Sequence, residues 1–420
     1  MTSKERSRLR ELAKKNKELA YSPEMEALRK RYWDLNTKNN GTCPTVRIET
    51  EPFAHEIIPP AEQQCRDPFA KRIEDQLLYK LFHHQIIGDD QLIQKTYQLG
   101  WRINVDYFGF PITKTMGTST SNTETAGFRV NHAIVNIAED FQKLKPLNVV
   151  VNREYTRNYL AAVEDSIGDI MPVEMIGCPA LATFLTRNLL DLMSMENYYL
   201  AMMDTPDDVH RIMEYLLQNA LLLMRFFEDE KIMYLNNGEA ENIWISSYLF
   251  TDKLPAPDYN GTPRLKDMFL RTDSQETVGI SPAMFNEFCL PYYQRLCALG
   301  GLWYYGCCEP VHPIWESSLV TIPNIKKVSI SKWCNEEIMG HHLRNSGIVY
   351  SRKIDASLVG LEGEINADGL AKYMQTTMKH TKDCQIEFIA RDIISTYGNP
   401  GKLKTAVNIM RKEIAASLDG

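Results

Sequence analysis

Short apolar runs alternate with longer segments of helical period along most of this chain. The short runs predict strands at residues 44–48, 148–151, 171–176, 243–245, 268–270, 302–305, 327–330, 347–351 and 385–390. Between them lie amphipathic helices. One covers 68–84, with Phe69, Ile73, Leu77, Leu81 and Phe82 near one face. Another follows Thr205, an expected N-cap, with Pro206, Asp207 and Asp208 in its first turn and Ile212, Leu216, Leu217, Ala220, Leu221 and Met224 at helical spacing. Ser281-Pro282 starts a helix that runs through Phe285, Phe288 and Leu296. Further helices are expected at 134–143, 336–344, 368–379 and from Asn399-Pro400 onward. Residues 1–40 read as one or two charged helices, anchored by Trp33 and Leu35 and ended at Asn39-Asn40-Gly41. The second half of 100–130, rich in Thr, Ser, Asn and Gly, reads as a long polar loop of the kind that covers a site.

Alternating strands and helices imply a parallel sheet. Four strand–helix units in the C-terminal half, with others before them, predict an α/β chain folded as a closed (β/α)8 TIM barrel. Residues 1–40 form a helical extension and 41–420 the single barrel domain. An open doubly wound sheet is the alternative; no Gly-x-Gly-x-x-Gly follows any strand, which argues against a dinucleotide-binding form of it.

Composition narrows the function. The chain has 420 residues, 44% hydrophobic and 24% charged, enough for a large core. No apolar run is long enough for a membrane helix, and the first residues lack a signal core. A cytoplasmic protein without membrane contact is expected. Nine cysteines without regular spacing do not make a secreted disulfide framework. A net charge of -7 argues against nucleic-acid binding. The His83-His84 pair reads as favourable charge at a helix end rather than as a metal site.

The chemistry concentrates in GLWYYGCCEPVHPIWES, residues 301–317. An apolar strand ends at Gly306 and delivers Cys307, Cys308, Glu309 and His312 to a proline-bounded loop. Two thiols, a carboxylate and an imidazole within six positions suit zinc binding or thiolate chemistry. Other strand ends add Asp273 and Gln275, Trp333 and Cys334, Arg352 and Lys353, and Arg391 and Asp392. A polar ring of this kind is hard to explain by packing. Lys353 and Asp392 could instead form a plain salt bridge, and lone cysteines such as Cys289 and Cys297 read as small core residues.

Three stretches carry a resemblance: MPVEMIGCPALATFLTRNLLDLMSMENYYLAMMDTPDDVHRIMEYL, ISPAMFNEFCLPYYQRL, and the course KVSISKW, GIVYSRKIDASLV, IEFIARDIISTYGNP. They resemble the uroporphyrinogen decarboxylase superfamily over roughly residues 30–415. That resemblance implies a (β/α)8 barrel and one of two activities, cofactor-free decarboxylation or methyl transfer to or from a corrinoid with zinc at the barrel mouth. The arginine-rich N-terminal motif of the decarboxylases is absent; the region reads PTVRIETEP. The His-x-Cys of coenzyme M methyltransferases is replaced by Tyr305-Gly306-Cys307. The chain therefore resembles a demethylase-linked branch.

The expected activity is transfer of a methyl group from a small O- or N-methylated compound, for example a methoxyaromatic, to the cob(I)alamin of a partner corrinoid protein. Zinc would be held by Cys307, Cys308 and Glu309. Tyr305, Asp392 and Glu309 are the expected catalytic residues. Tyr107, Phe108, Asp273, Gln275, Trp333 and Lys353 are expected to bind substrate, with Tyr107, Phe108 and Trp333 stacking on an aromatic ring. The alternatives are methyl transfer from a methylcorrinoid to a thiol and a non-catalytic corrinoid- or tetrapyrrole-binding barrel. A homodimer is compatible with all three.

Overall fold

The computed structural model describes residues 1–38, 41–117, 128–176, 183–240 and 245–418. In chain order the strands are β1 (Thr45–Ile48), β2 (Tyr97–Leu99), β3 (Ile103–Asp106), β4 (Thr113–Met116), β5 (Phe128–Asn131), β6 (Asn148–Val151), β7 (Val173–Met175), β8 (Phe269–Thr272), β9 (Leu302–Tyr305), β10 (Ile325–Ile330), β11 (Val349–Ile354) and β12 (Gln385–Ala390). Six of them form one parallel sheet in the order β1-β12-β11-β10-β9-β8. Its strands are buried almost throughout, and among their apolar residues they also bury Arg271, Lys327, Arg352, Lys353 and Glu387.

The closed eightfold barrel is not observed. β2 and β7 form a separate parallel pair, β3 with β6 and β4 with β5 form antiparallel pairs, and none of these joins β1 to β8. The physical reason lies at the two edges of the six-stranded sheet. On β1, the Val46 and Ile48 N–H groups donate to the carboxylates of Asp90 (2.7 Å) and Asp89 (2.6 Å). On β8, the Asn236 side-chain amide accepts from the Phe269 N–H (2.9 Å) and donates to the Phe269 carbonyl (2.7 Å). The Thr183 N–H donates to the Arg271 carbonyl (3.1 Å). Side chains and isolated backbone contacts, the Asp90 N–H on the Val46 carbonyl (2.8 Å) among them, thus satisfy edges that a closed barrel would satisfy with strands. His83 belongs to this edge: its Nε2 lies 2.8 Å from Asp89, buried. It stands in the last turn of helix Pro68–Ile86, as expected, and there has a buried carboxylate partner.

Other expectations shift locally. The strand expected at 243–245 falls mostly in 241–244, outside the described residues. The helix expected at 134–143 shrinks to Ile137–Asp140 with a 3-10 turn after it. The helix begun at Pro282 stops at Phe288 and restarts as Leu290–Cys297, because Pro291 cannot donate to the preceding turn. Thr205 occupies the N-cap position but its side chain makes no cap bond. The polar loop contains the β4–β5 hairpin, and its centre at 118–127 lies outside the described residues.

The N-terminal helices Ser3–Ala20 and Pro23–Thr37 pack on the body. Leu9, Leu12 and Ala13 join Ile73 and Leu77 of helix Pro68–Ile86 in one cluster. Arg8 pairs with Glu62 (2.8 Å) and Glu74 (3.4 Å), and Arg10 with Asp169 (2.6 Å). The arginines of the basic stretch thus contact the body, whereas Lys15 pairs with Glu11 on its own helix. Leu35 is buried, whereas Trp33 remains exposed. No described helix is long and apolar enough to cross a membrane.

Inside the sheet, Lys327 of β10 and Glu387 of β12 form a buried ion pair at 2.8 Å. Ser247 bonds to both, and the Tyr248 carbonyl accepts from Lys327. Removing one partner leaves a buried charge uncompensated. Lys327→Met should therefore destabilise the fold by about 3–5 kcal/mol in urea unfolding. A change near zero would show that the pair is not held as described.

Candidate functional site

The site lies at the C-terminal ends of β8, β9 and β12. β9 buries Trp303, Tyr304 and Tyr305 and stops at Gly306, whose φ of 98° few residues other than glycine adopt. The Gly306 N–H still bonds the Thr272 carbonyl of β8 (3.0 Å), so the turn is tied to its neighbour. Beyond it the chain leaves strand alternation. Cys307 and Cys308 come together with their Sγ atoms 3.4 Å apart, and Cys308 Sγ lies 3.9 Å from Asp392 Oδ2. The Ser329 hydroxyl on β10 donates to the Cys307 carbonyl (2.6 Å) and fixes the turn from below.

The two thiols share a proton unequally. Cys307 is pulled well below the usual thiol range, first by the hydrogen bond from Cys308, then, against its burial, by the charges of Arg391, Arg271 and Lys353. Cys308 is pushed up, chiefly by that same bond. The favoured anion is a Cys307 thiolate facing three cations.

Asp273 follows β8 and is 1% exposed. Burial pushes its carboxyl up to about 6, opposed by Arg271, whose Nη2 lies 3.2 Å from Oδ2, and assisted by the Cys307 charge. Its carbonyl accepts from the Tyr293 hydroxyl (2.7 Å). Asp273, Gln275, Tyr305, Cys307 and Glu309 line one small cleft of about 40 Å3. That holds two or three waters or a small group, and excludes a tetrapyrrole ring.

Several expected roles meet different surroundings. The Glu309 carboxylate accepts from the N–H groups of Glu276 (2.5 Å) and Thr277 (3.0 Å), clamping the β8 loop to the β9 loop. It is a brace, with both oxygens held by the β8 loop. Among the described residues no three His, Cys, Asp or Glu side chains converge to hold a metal ion. The donors present therefore do not fit the zinc set of Cys307, Cys308 and Glu309. Tyr305 is buried, with its hydroxyl 2.6 Å from the Ser274 hydroxyl. Trp333 is 67% exposed, with Lys332 over its ring, and does not face the cleft. Tyr107 and Phe108 line a second cavity with Asp106, Phe110 and Asp191, apart from the thiols. Lys353 points within the sheet toward Ser351 and the Tyr304 ring, and Asp392 pairs with Arg391 rather than with Lys353. His312 accepts from the Asn335 N–H. The sequence reading passed over Arg271; a charged residue inside the buried strand FLRT was the available signal.

No protein-family model and no curated protein matches this chain. Among solved structures it is similar to a methyltransferase from Methanosarcina mazei, at 13% identity and a TM-score of 0.44, over 91% of this chain and 98% of that one.

Two outcomes are expected. The folded chain keeps the Asp273 proton to about pH 6, whereas the unfolded chain loses it near about 4. Between those values the folded state binds more protons, so stability falls as pH rises and levels off above about 6. In Asp273→Asn this fall, roughly 3 kcal/mol between pH 4 and 7, should disappear from urea titrations; an unchanged slope would refute the assignment. Cys308→Ala removes the donor to Cys307. It should slow alkylation of Cys307 by iodoacetamide at pH 7 by roughly tenfold and move its rate–pH curve upward. A curve that stays in place would mean that Cys308 does not activate its neighbour.

Proposed function

We propose that this chain is a methyltransferase that takes a methyl group from a small O- or N-methylated compound and passes it to the cob(I)alamin of a corrinoid protein. The observation that carries this reading is Asp273, a buried carboxyl with its pKa raised toward neutrality in a cleft sized for a small group. The sequence resemblance supplies the reaction class, and Asp273 supplies what that class needs.

The corrinoid provides a strongly nucleophilic metal centre that accepts the methyl group. The remaining difficulty belongs to the protein. An ether oxygen or amine nitrogen leaves poorly unless it is protonated as the bond to carbon breaks. Asp273 fits as the donor: its raised pKa keeps part of it protonated near neutral pH without making it a feeble acid. Arg271 holds the carboxyl in place and stabilises the carboxylate that remains. Tyr305 shapes the cleft through Ser274. A corrinoid carried by a partner would have to approach from the open side of the cleft, which is too small to admit its ring.

The test is anaerobic incubation with cob(I)alamin and a panel of small methyl donors, methanol and methylamines among them, following loss of the Co(I) absorption. Methylcobalamin should form with at least one donor, and the rate should decline as pH rises above about 6. Asp273→Asn should lower the maximal rate by about 10²–10⁴-fold while leaving donor affinity within a few-fold. Absence of methylcobalamin with every donor, from a folded protein, would overturn the reading.

A further inference from the structure

The thiol pair has a chemistry that proton donation by Asp273 does not use. Side chains at neighbouring strand positions point to opposite faces. Here the left-handed turn at Gly306 cancels that alternation and sets the Cys307 and Cys308 sulfurs 3.4 Å apart. Cys307 lines the cleft, and Cys308 is partly open to solvent. Arg391, Arg271 and Lys353 direct positive charge at Cys307, the surroundings that make a thiol nucleophilic. Cys289 and Cys297 are fully buried among apolar side chains and share none of this.

We propose that Cys307 and Cys308 are a site of reversible oxidative modification, closed to a vicinal disulfide by exchange with a low-molecular-weight disulfide. The Cys307 thiolate attacks one sulfur of the small disulfide, the S–S bond breaks, and one small thiol leaves. Cys308 then attacks the Cys307 sulfur of the mixed disulfide, giving up its proton and expelling the second small thiol. The two protein thiols are oxidised by two electrons in all, and the small disulfide is reduced to two thiols. The product is easily reversed for a geometric reason. Adjacent Cα atoms lie about 3.8 Å apart, whereas disulfides usually span about 4.4–6.8 Å. The closed ring is strained, and strained disulfides are the readily reduced ones.

The experiment reads thiols directly and does not depend on methyl transfer. The reduced full-length chain is incubated with oxidised glutathione, unfolded, alkylated with iodoacetamide and digested with trypsin. The peptide spanning 296–326 carries Cys297, Cys307 and Cys308. Fragmentation mass spectra should show one alkyl group, on Cys297, and a loss of two hydrogens at the Cys307–Cys308 pair. Dithiothreitol before alkylation should restore three alkyl groups. Cys308→Ser should stop at one glutathione on Cys307. Three alkyl groups after oxidation, a separate glutathione on each cysteine of the pair, or a bridge from either to another cysteine would each overturn the proposal. A disulfide found in a protein that transfers no methyl group would leave this inference standing and remove the functional reading alone.

Discussion

The backbone hydrogen bonds at the two edges of the six-stranded sheet govern the rest of the structure. A parallel sheet buried on both faces cannot leave its edge groups unpaired. On β1 the edge donors are taken by Asp89 and Asp90, and on β8 by the amide of Asn236. These side chains are themselves fixed: Asp89 by His83, and Asp90 by Arg411. Because β8 is held at its edge, its C-terminal end is held too. Asp273 and the turn at Gly306 are therefore presented by anchored backbone.

At that end the electrostatics work by mutual constraint. Arg271 serves both Asp273 and Cys307. A thiolate at Cys307 raises the proton affinity of Asp273, and the arginine limits how far that goes. Two anions in so small a cleft oppose each other, so a Cys307 thiolate favours the protonated form of Asp273. An acid beside a negative neighbour, near cations that keep both in place, is suited to giving its proton to a leaving group.

Much of this was legible along the chain, and the misses have physical causes. β8 to β12 were readable because each has an apolar core of β-forming residues between turn residues, despite the charged residues buried within them, and Asp273, Cys307 and Asp392 stand at strand ends as expected. β2, with only Tyr97–Leu99, is too short to carry a period. Closure was misjudged because side-chain carboxylates and an amide replaced strands at the edges, a substitution that no hydrophobic pattern reports. Glu309 was misread because its partners are backbone N–H groups of the β8 loop, invisible in residue identities. Trp333 stands at a strand end as expected, yet nothing in its position disclosed that its ring turns outward.

The comparison of four acids decides how the cleft can act. Glu309 has its oxygens committed as acceptors, so it serves geometry. Asp392 is 60% exposed beside Arg391 and stays in contact with water. Tyr305 is buried, and burial moves its hydroxyl well above the ordinary phenol range, too weak an acid for the task. Only Asp273 combines burial, a place on the cleft wall and a proton affinity near neutrality. Its environment, rather than its residue type, separates it from the others: Asp392 carries the same carboxyl but stands in solvent, outside the cleft wall.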